Sequence, residues 1–380
     1  MGSKRVMQSN DSLPDFLQEK NKNKHFGGTN ENLPEEILFD IFSRLPAKSV
    51  GKFRCLSKSW HTQLSTTQFI KSHLSCKPQQ KKFIFLTRCL QFVIMTLHNN
   101  ITCSINSVMM VDSYTDLWGS CNGLVLLGTG AKVMFVFNPI TLQQVYIPNS
   151  PLAPNKYEFV TVYGFGYDSN NDDYKIVRLS CKKGLDDEYV LLTFVDVYSL
   201  KRGVWNRVIS SPNGHAHYHL PPGTFANNAI HWLIVNKESR SAIVAFDLAN
   251  EVFYDVPCPT DVDVYNCSYD LVVLEGCLCV VMKYFNDPDF WIMKDYGSVE
   301  SWTKFSFILS TFCEFKLLCF IGDEKEHVLV LIDGANLVVC NLKERAFKHM
   351  DTGKARFLDS VNFVESLVSP ADLKVEVKIE

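Results

Sequence analysis

No pair of cysteines in this 380-residue sequence stands at CxxC spacing, and the single CxC, at Cys277 and Cys279, is not a zinc-binding arrangement. The thirteen cysteines are scattered, odd in number, and follow a polar N-terminus without an apolar signal core. That combination argues against a disulfide framework and for a reducing compartment, nucleus or cytoplasm, where cysteine serves as a small core hydrophobe. Also missing is any run of about 18 apolar residues able to span a bilayer; the richest stretch, 271–282, is broken by Glu275 and Gly276. Charge of one sign is not in excess either. With 38 Lys and Arg against 41 Asp and Glu, the net charge of -3 provides no field to concentrate the protein on nucleic acid or anionic lipid. Nor does Met1-Gly2 open a myristoylation signal, because Val6 occupies the position that needs Ser or Thr.

What is present is 46% hydrophobic and 21% charged, enough for a sizeable core. Residues 1–30 are rich in Asn, Lys, Gln and Ser and read as a disordered leader. A helical unit follows over 31–76. Asn32 is an N-cap candidate, Pro34 suits a first helical turn, Glu35 and Glu36 favour the positive end of the helix dipole, and Pro46 stops the helix. Ile37, Leu38, Ile41, Phe42 and Leu45, with Leu33 at the edge, cover too wide an arc for burial on one side only. Two further segments at helical spacing, 47–56 and 57–70, make three short helices in all. So small a unit cannot bury its apolar surface alone and must pack on the rest of the chain or on another protein.

From about residue 80 to 370 the period changes to short apolar runs punctuated by Gly, Asn, Asp and Pro, the pattern of many strands. Phe135–Asn138, Val195–Tyr198, Val244–Asp247, Phe290–Met293 and Leu337–Asn341 read as one strand used five times. Each is followed by an apolar anchor: Val145, Trp205, Phe253, Trp302 or Phe347. Each is preceded by another strand, at 124–127, 174–179, 229–235, 277–282 and 327–332, while 83–110 forms a degenerate further unit. The spacing is that of propeller blades, about six in number, with the anchors packing between blades and 361–368 closing the ring. Residues 371–380 form a tail.

The segment Leu33-Pro34-Glu35-Glu36-Ile37-Leu38, continuing through Arg44-Leu45-Pro46-Ala47-Lys48-Ser49-Val50 to Phe53-Arg54-Cys55-Leu56-Ser57-Lys58-Ser59-Trp60, closely resembles the F-box. The resemblance implies that Leu33, Pro34, Ile37, Leu38, Ile41, Leu45, Pro46 and Val50 meet a Skp1-type adaptor, and through it cullin and RING subunits, while Trp60 packs the unit. Gly119-Ser120-Cys121-Asn122-Gly123-Leu124, Phe137-Asn138-Pro139, Tyr163-Gly164-Phe165-Gly166-Tyr167-Asp168 and Asp173-Tyr174-Lys175-Ile176-Val177 resemble the F-box-associated domain of plant F-box proteins. The expected architecture is therefore mostly β: a three-helix F-box followed by a β-propeller-like domain. The implied function is substrate recognition for an SCF (Skp1-cullin-F-box) ubiquitin ligase by a non-catalytic subunit. Relatives of this type include regulators of immune-receptor abundance and pollen determinants that act on S-RNases, so either kind of protein is an expected target. The alternative is a lectin-like module that recognises glycosylated proteins.

No cofactor or metal is expected, and no RING spacing is present. Gly119–Gly123 has the outline of a nucleophile elbow, but its serine is second, not central, and the stretch reads as a turn. His215, His217 and His219 alternate between Asn213-Gly214 and Pro221-Pro222, and read as a loop able to touch a target; so do Asp186 and Asp187 within 182–188, and the stretch 286–290.

Overall fold

The computed structural model describes residues 33–76, 81–98, 102–110, 115–129, 133–153, 159–182, 193–209, 214–215, 221–236, 240–260, 262, 268–283, 288–308, 315–322, 326–332, 336–352 and 356–373. The expected leader and most of the tail lie outside them. The chain divides into two compact units, Met1–Ile41 and Phe42–Glu380.

In the first unit Pro34 opens helix α1 (Glu35–Ser43). Its carbonyl accepts the amides of Ile37 and Leu38 at 3.0 and 3.2 Å, and Glu35 and Glu36 stand in the first turn, where the dipole favours them. In the second unit, Pro46 leads in extended conformation into α2 (Ala47–Arg54). The expected third helix is in fact two, α3 (Lys58–Leu64) and α4 (Thr67–Ser75). Ser57 and Thr66 both adopt extended backbone, and their hydroxyls accept the amides of Trp60 and Phe69 at 3.2 Å each. The second cap restarts the helix inside a stretch whose apolar period had run on unbroken. Arg54 donates to the Leu64 carbonyl at 2.7 Å, and the His73 imidazole to that of Leu45 at 2.8 Å, which ties the helices together.

The strands form six antiparallel sheets, five of four strands and one of five. The first blade holds β1 (Lys82–Thr87), β2 (Gln91–His98) and β3 (Thr102–Met110); the second holds β4 (Thr115–Cys121), β5 (Leu124–Thr129), β6 (Met134–Phe137) and β7 (Gln144–Ile147). The third holds β8 (Phe159–Asp168), β9 (Asp173–Lys182), β10 (Thr193–Ser199) and β11 (Val204–Val208). The fourth runs from β12 (Gly214–His215) and β13 (Thr224–Ala226) through β14 (Ala229–Asn236) and β15 (Ser241–Asp247) to β16 (Val252–Val256). The fifth comprises β17 (Ser268–Leu274), β18 (Cys277–Lys283), β19 (Asp289–Met293) and β20 (Trp302–Ser306). In the sixth are β21 (Phe315–Ile321), β22 (His327–Ile332), β23 (Asn336–Asn341) and β24 (Ala346–His349). The last strand, β25 (Phe357–Phe363), returns to pair with β1, Phe83 opposite Asn362 and Ile84 opposite Val361, and closes a six-bladed propeller. Closure starts four residues earlier than the apolar run at 361–368 implied.

Six clusters of buried residues fill the six interfaces between neighbouring blades, including that between the last and the first, where Phe85 and Phe357 meet Leu329 and Leu331. Two of the anchors also bond across an interface: the indole N–H of Trp205 donates to the Pro148 carbonyl at 2.7 Å, and that of Trp302 to the Pro257 carbonyl at 3.0 Å. Gly164 and Gly166 of β8 allow the next blade to come close, since a Cβ at either would lie 2.4 Å from Ile230 or the Phe225 ring.

A repeated turn joins the third and outer strands of the second to sixth blades. Asn138, Asp247 and Asn341 each accept two following backbone amides through the side-chain oxygen. Four residues on, Leu142, Glu251 and Arg345 take positive φ, as Gly203 and Gly297 do at the matching places. The turn residue after the repeated strand, visible in the sequence, is thus a side-chain cap.

Candidate functional site

The propeller's two ends differ in how much chain they carry. At one end the inner strands turn back within a few residues: Asn122-Gly123 after β4, Asn227-Asn228 after β13 and Glu275-Gly276 after β17, all at positive φ. Helix α4 belongs to this end, because Lys71 pairs with Asp172 of the β8–β9 turn at 2.8 Å. A cavity of about 640 Å³ lies here between α4, Asn122, Asp172 and Val368–Leu373. At the other end the connections are long: 183–192 between β9 and β10, 257–267 between β16 and β17, and 307–314 between β20 and β21. Chain length concentrated at one end of a rigid scaffold is where recognition is usually placed.

Leu33, Ile37 and Ile41, spaced by four residues, share one side of α1 and are 55%, 48% and 44% exposed. Pro34 and Pro46 are also exposed, and Leu38 and Leu45 half-buried. Val50 departs from its expected place on the adaptor-facing surface. It is 0% exposed, a core residue of the helices, because α2 turns that side inward. Trp60 stands edge-on to Phe42, with ring centroids 5.0 Å apart.

Asp186, Asp187, His217 and His219 lie outside the described residues. The backbone of His215 pairs with Val235 in β12, so it belongs to a sheet edge rather than a free loop. Of the stretch 286–290, Phe290 is fully buried in β19. Gly119, Ser120 and Cys121 end β4, and the turn is only Asn122-Gly123.

The sequence reading missed the channel along the propeller axis. Residues from the inner edges of all six blades line a cavity of about 220 Å³, which shares Pro222, Asp270, Lys316 and Asp359 with a second, of about 250 Å³. Asp116, Asp270, Lys316 and Asp359 all stand in the first three residues of inner strands, which places them at the long-loop end. Lys316 donates to Asp359 at 2.7 Å and to the Ser360 carbonyl at 2.6 Å. Burial pulls the Lys316 ammonium pKa down, but Asp359 and Asp270 together outweigh it and leave it raised. Lys283 pairs with Asp270 at 2.8 Å.

Comparison with known proteins agrees with both halves of this architecture. Residues 31–72 match the F-box domain, and residues 59–370 match the F-box associated beta propeller domain. F-box protein CPR1 of Arabidopsis thaliana is 32% identical over 369 residues, covering 89% of this chain and 88% of that protein. The F-box/kelch-repeat protein At3g23880 from the same plant is 27% identical, covering 90% of this chain and 97% of its own length. An exposed apolar stripe on the first of four α-helices among the described residues, and six blades closed by the last strand, agree with these matches, and the chain belongs to the plant F-box proteins that carry an F-box-associated β-propeller.

Proposed function

We propose that this chain is the substrate-recognition subunit of an SCF ubiquitin ligase. Leu33, Pro34, Ile37, Leu38 and Ile41, with Leu45 and Pro46, bind a Skp1-type adaptor that brings cullin and RING subunits. The long-loop end of the propeller, with His215, His217, His219, Asp186 and Asp187 among its residues, holds a protein for ubiquitination and proteasomal degradation in nucleus or cytoplasm. The observation that carries this reading is the stripe Leu33, Ile37 and Ile41, left about half exposed in the free chain. Apolar surface kept open on an otherwise well-packed protein marks a place for a partner. Among the described residues, no helix is long and apolar enough to cross a membrane.

The chemistry assigned to the chain is positioning. A target held beside a ubiquitin-loaded enzyme presents its lysines at high effective concentration, so transfer becomes in effect intramolecular, and selectivity lies in the target contacts. A propeller with six packed interfaces suits that task, because it fixes the distance between its two ends. The test is co-purification from plant cells with the proteasome blocked, wild type against Leu33→Ala with Pro34→Ala, read by mass spectrometry. Adaptor and cullin peptides should accompany the wild type and disappear with the variant; a wild type that brings down neither sinks the proposal.

A further inference from the structure

The cavity of about 640 Å³ beneath α4 is far larger than the gaps that ordinary packing leaves between elements. Ile70 and Leu74, one turn apart on α4, line it from one side, and Tyr167, Tyr174 and Leu373 from the other. All but Tyr174 are only half-buried, so α4 turns an apolar side to the propeller without closing on it. The ion pair that joins α4 to the β8–β9 turn, Lys71 with Asp172, is about half exposed at both ends, and a pair of that kind holds little.

The chain itself supplies an occupant. The described residues end at Leu373, in the cavity wall, and the next seven are Lys374-Val375-Glu376-Val377-Lys378-Ile379-Glu380. Apolar and charged residues alternate strictly, and the apolar ones are all β-branched, which is the pattern of an extended segment with one side buried. Extended at about 3.3 Å per residue, the segment reaches about 23 Å, while the nine residues of α4 span about 14 Å. The charges agree as well. Lys71, Lys201, Asp172 and Asp372 line the cavity, two of each sign, and the segment carries two lysines and two glutamates. Attached at the cavity's edge, the segment meets it at an effective concentration that a free peptide or a small molecule does not match.

We propose that residues 374–380 fold back into this cavity as an extended strap, with Val375, Val377 and Ile379 against Ile70, Leu74 and Tyr167 and the charged residues toward solvent. The strap fastens α4 to the second and third blades. It does so whatever the helices or the propeller bind.

The experiment is hydrogen–deuterium exchange on the full chain, read peptide by peptide. Val375→Asp, Val377→Asp and Ile379→Asp together should speed exchange of the α4 amides at least about tenfold and leave β18, two blades away, unchanged. Lys374→Gln with Glu376→Gln, on the charged side, should leave α4 as in the wild type. A benzophenone side chain at position 377 should cross-link within one chain to α4 or to residues 167–174. Equal exchange of α4 in the wild type and the triple variant would overturn the proposal, and so would cross-links that miss both segments. Protection of α4 that rises with protein concentration would give the cavity to a second copy, and a small molecule retained by the wild type but displaced by Leu74→Trp would give it to a ligand; either result also overturns the strap.

Discussion

Replacing Leu33, Ile37 and Ile41 together by alanine should separate adaptor binding from folding. Burying a leucine or isoleucine side chain completely contributes about 1.5–3 kcal/mol. These three are 55%, 48% and 44% exposed, so about half of that remains for a partner to gain, roughly 1 kcal/mol each and roughly 3 kcal/mol together. At 1.4 kcal/mol per factor of ten, the adaptor should bind about 100-fold more weakly. Val50→Ala is the contrasting variant. With Val50 0% exposed, its cost of on the order of 2 kcal/mol should fall on folding instead. Calorimetric titration with purified Skp1-type adaptor, beside urea unfolding of each variant, gives both quantities. Wild-type affinity in the triple variant would refute the argument, and so would loss of adaptor by Val50→Ala without any loss of stability.

Three further outcomes follow from groups buried in the propeller. Thr224 offers His231 a carbonyl at 3.2 Å, so Nδ1 donates there and Nε2 accepts from the Tyr296 hydroxyl at 2.6 Å; burial lowers the imidazole pKa from 6.5 to about 4. The unfolded chain therefore takes the proton first on acidification. Stability is full above pH 6.5 and falls by about 3 kcal/mol as pH drops through 4, a slope that urea midpoints should lack in His231→Gln. Asn138→Ala removes donors to the Ser366 and Val368 carbonyls at 3.1 and 2.7 Å; with both carbonyls buried, urea unfolding should show a loss of about 2–4 kcal/mol. Trp205→Phe and Trp302→Phe each delete one interblade hydrogen bond, about 1 kcal/mol apiece, and the double variant should show their sum because the two interfaces share no residue.

The third strands were legible because they are largely apolar on both faces, and the outer strands because a turn residue precedes each and a bulky anchor marks it. The inner strands were not. β4, β17 and β21 carry charged residues near their starts, Asp116, Asp270 and Lys316, of which the last two border the channel, and β13 has only three residues. Stretches of that kind do not show the alternation of a half-buried strand. The channel mouth was illegible for the same reason, and because only ring closure brings residues 116, 270, 316 and 359 together. Within the helices, spacing identified the apolar residues but not which side each would face, so Val50 was grouped with Leu33 and Ile37 although the fold turns it inward. The stretch 57–70 concealed a break, since Thr66 interrupts the helix as a cap while the apolar residues around it keep helical spacing.

The C-terminal segment links the receptor's two tasks. β25 closes the ring beside β1, and the chain then runs at once beneath α4. There Ser366 and Val368 accept from Asn138, and Val368, Leu373 and Ile70 join the cluster between the second and third blades. Gly123 leaves the space this path needs, since a Cβ there would lie 2.4 Å from the Ser366 hydroxyl. Closing the propeller and seating α4 therefore draw on the same short stretch of sequence. Without it the first blade would lack its inner strand and α4 part of its packing. The contacts that close the ring and those that hold α4 thus adjoin along one segment, so a change there should disturb both ends of the propeller.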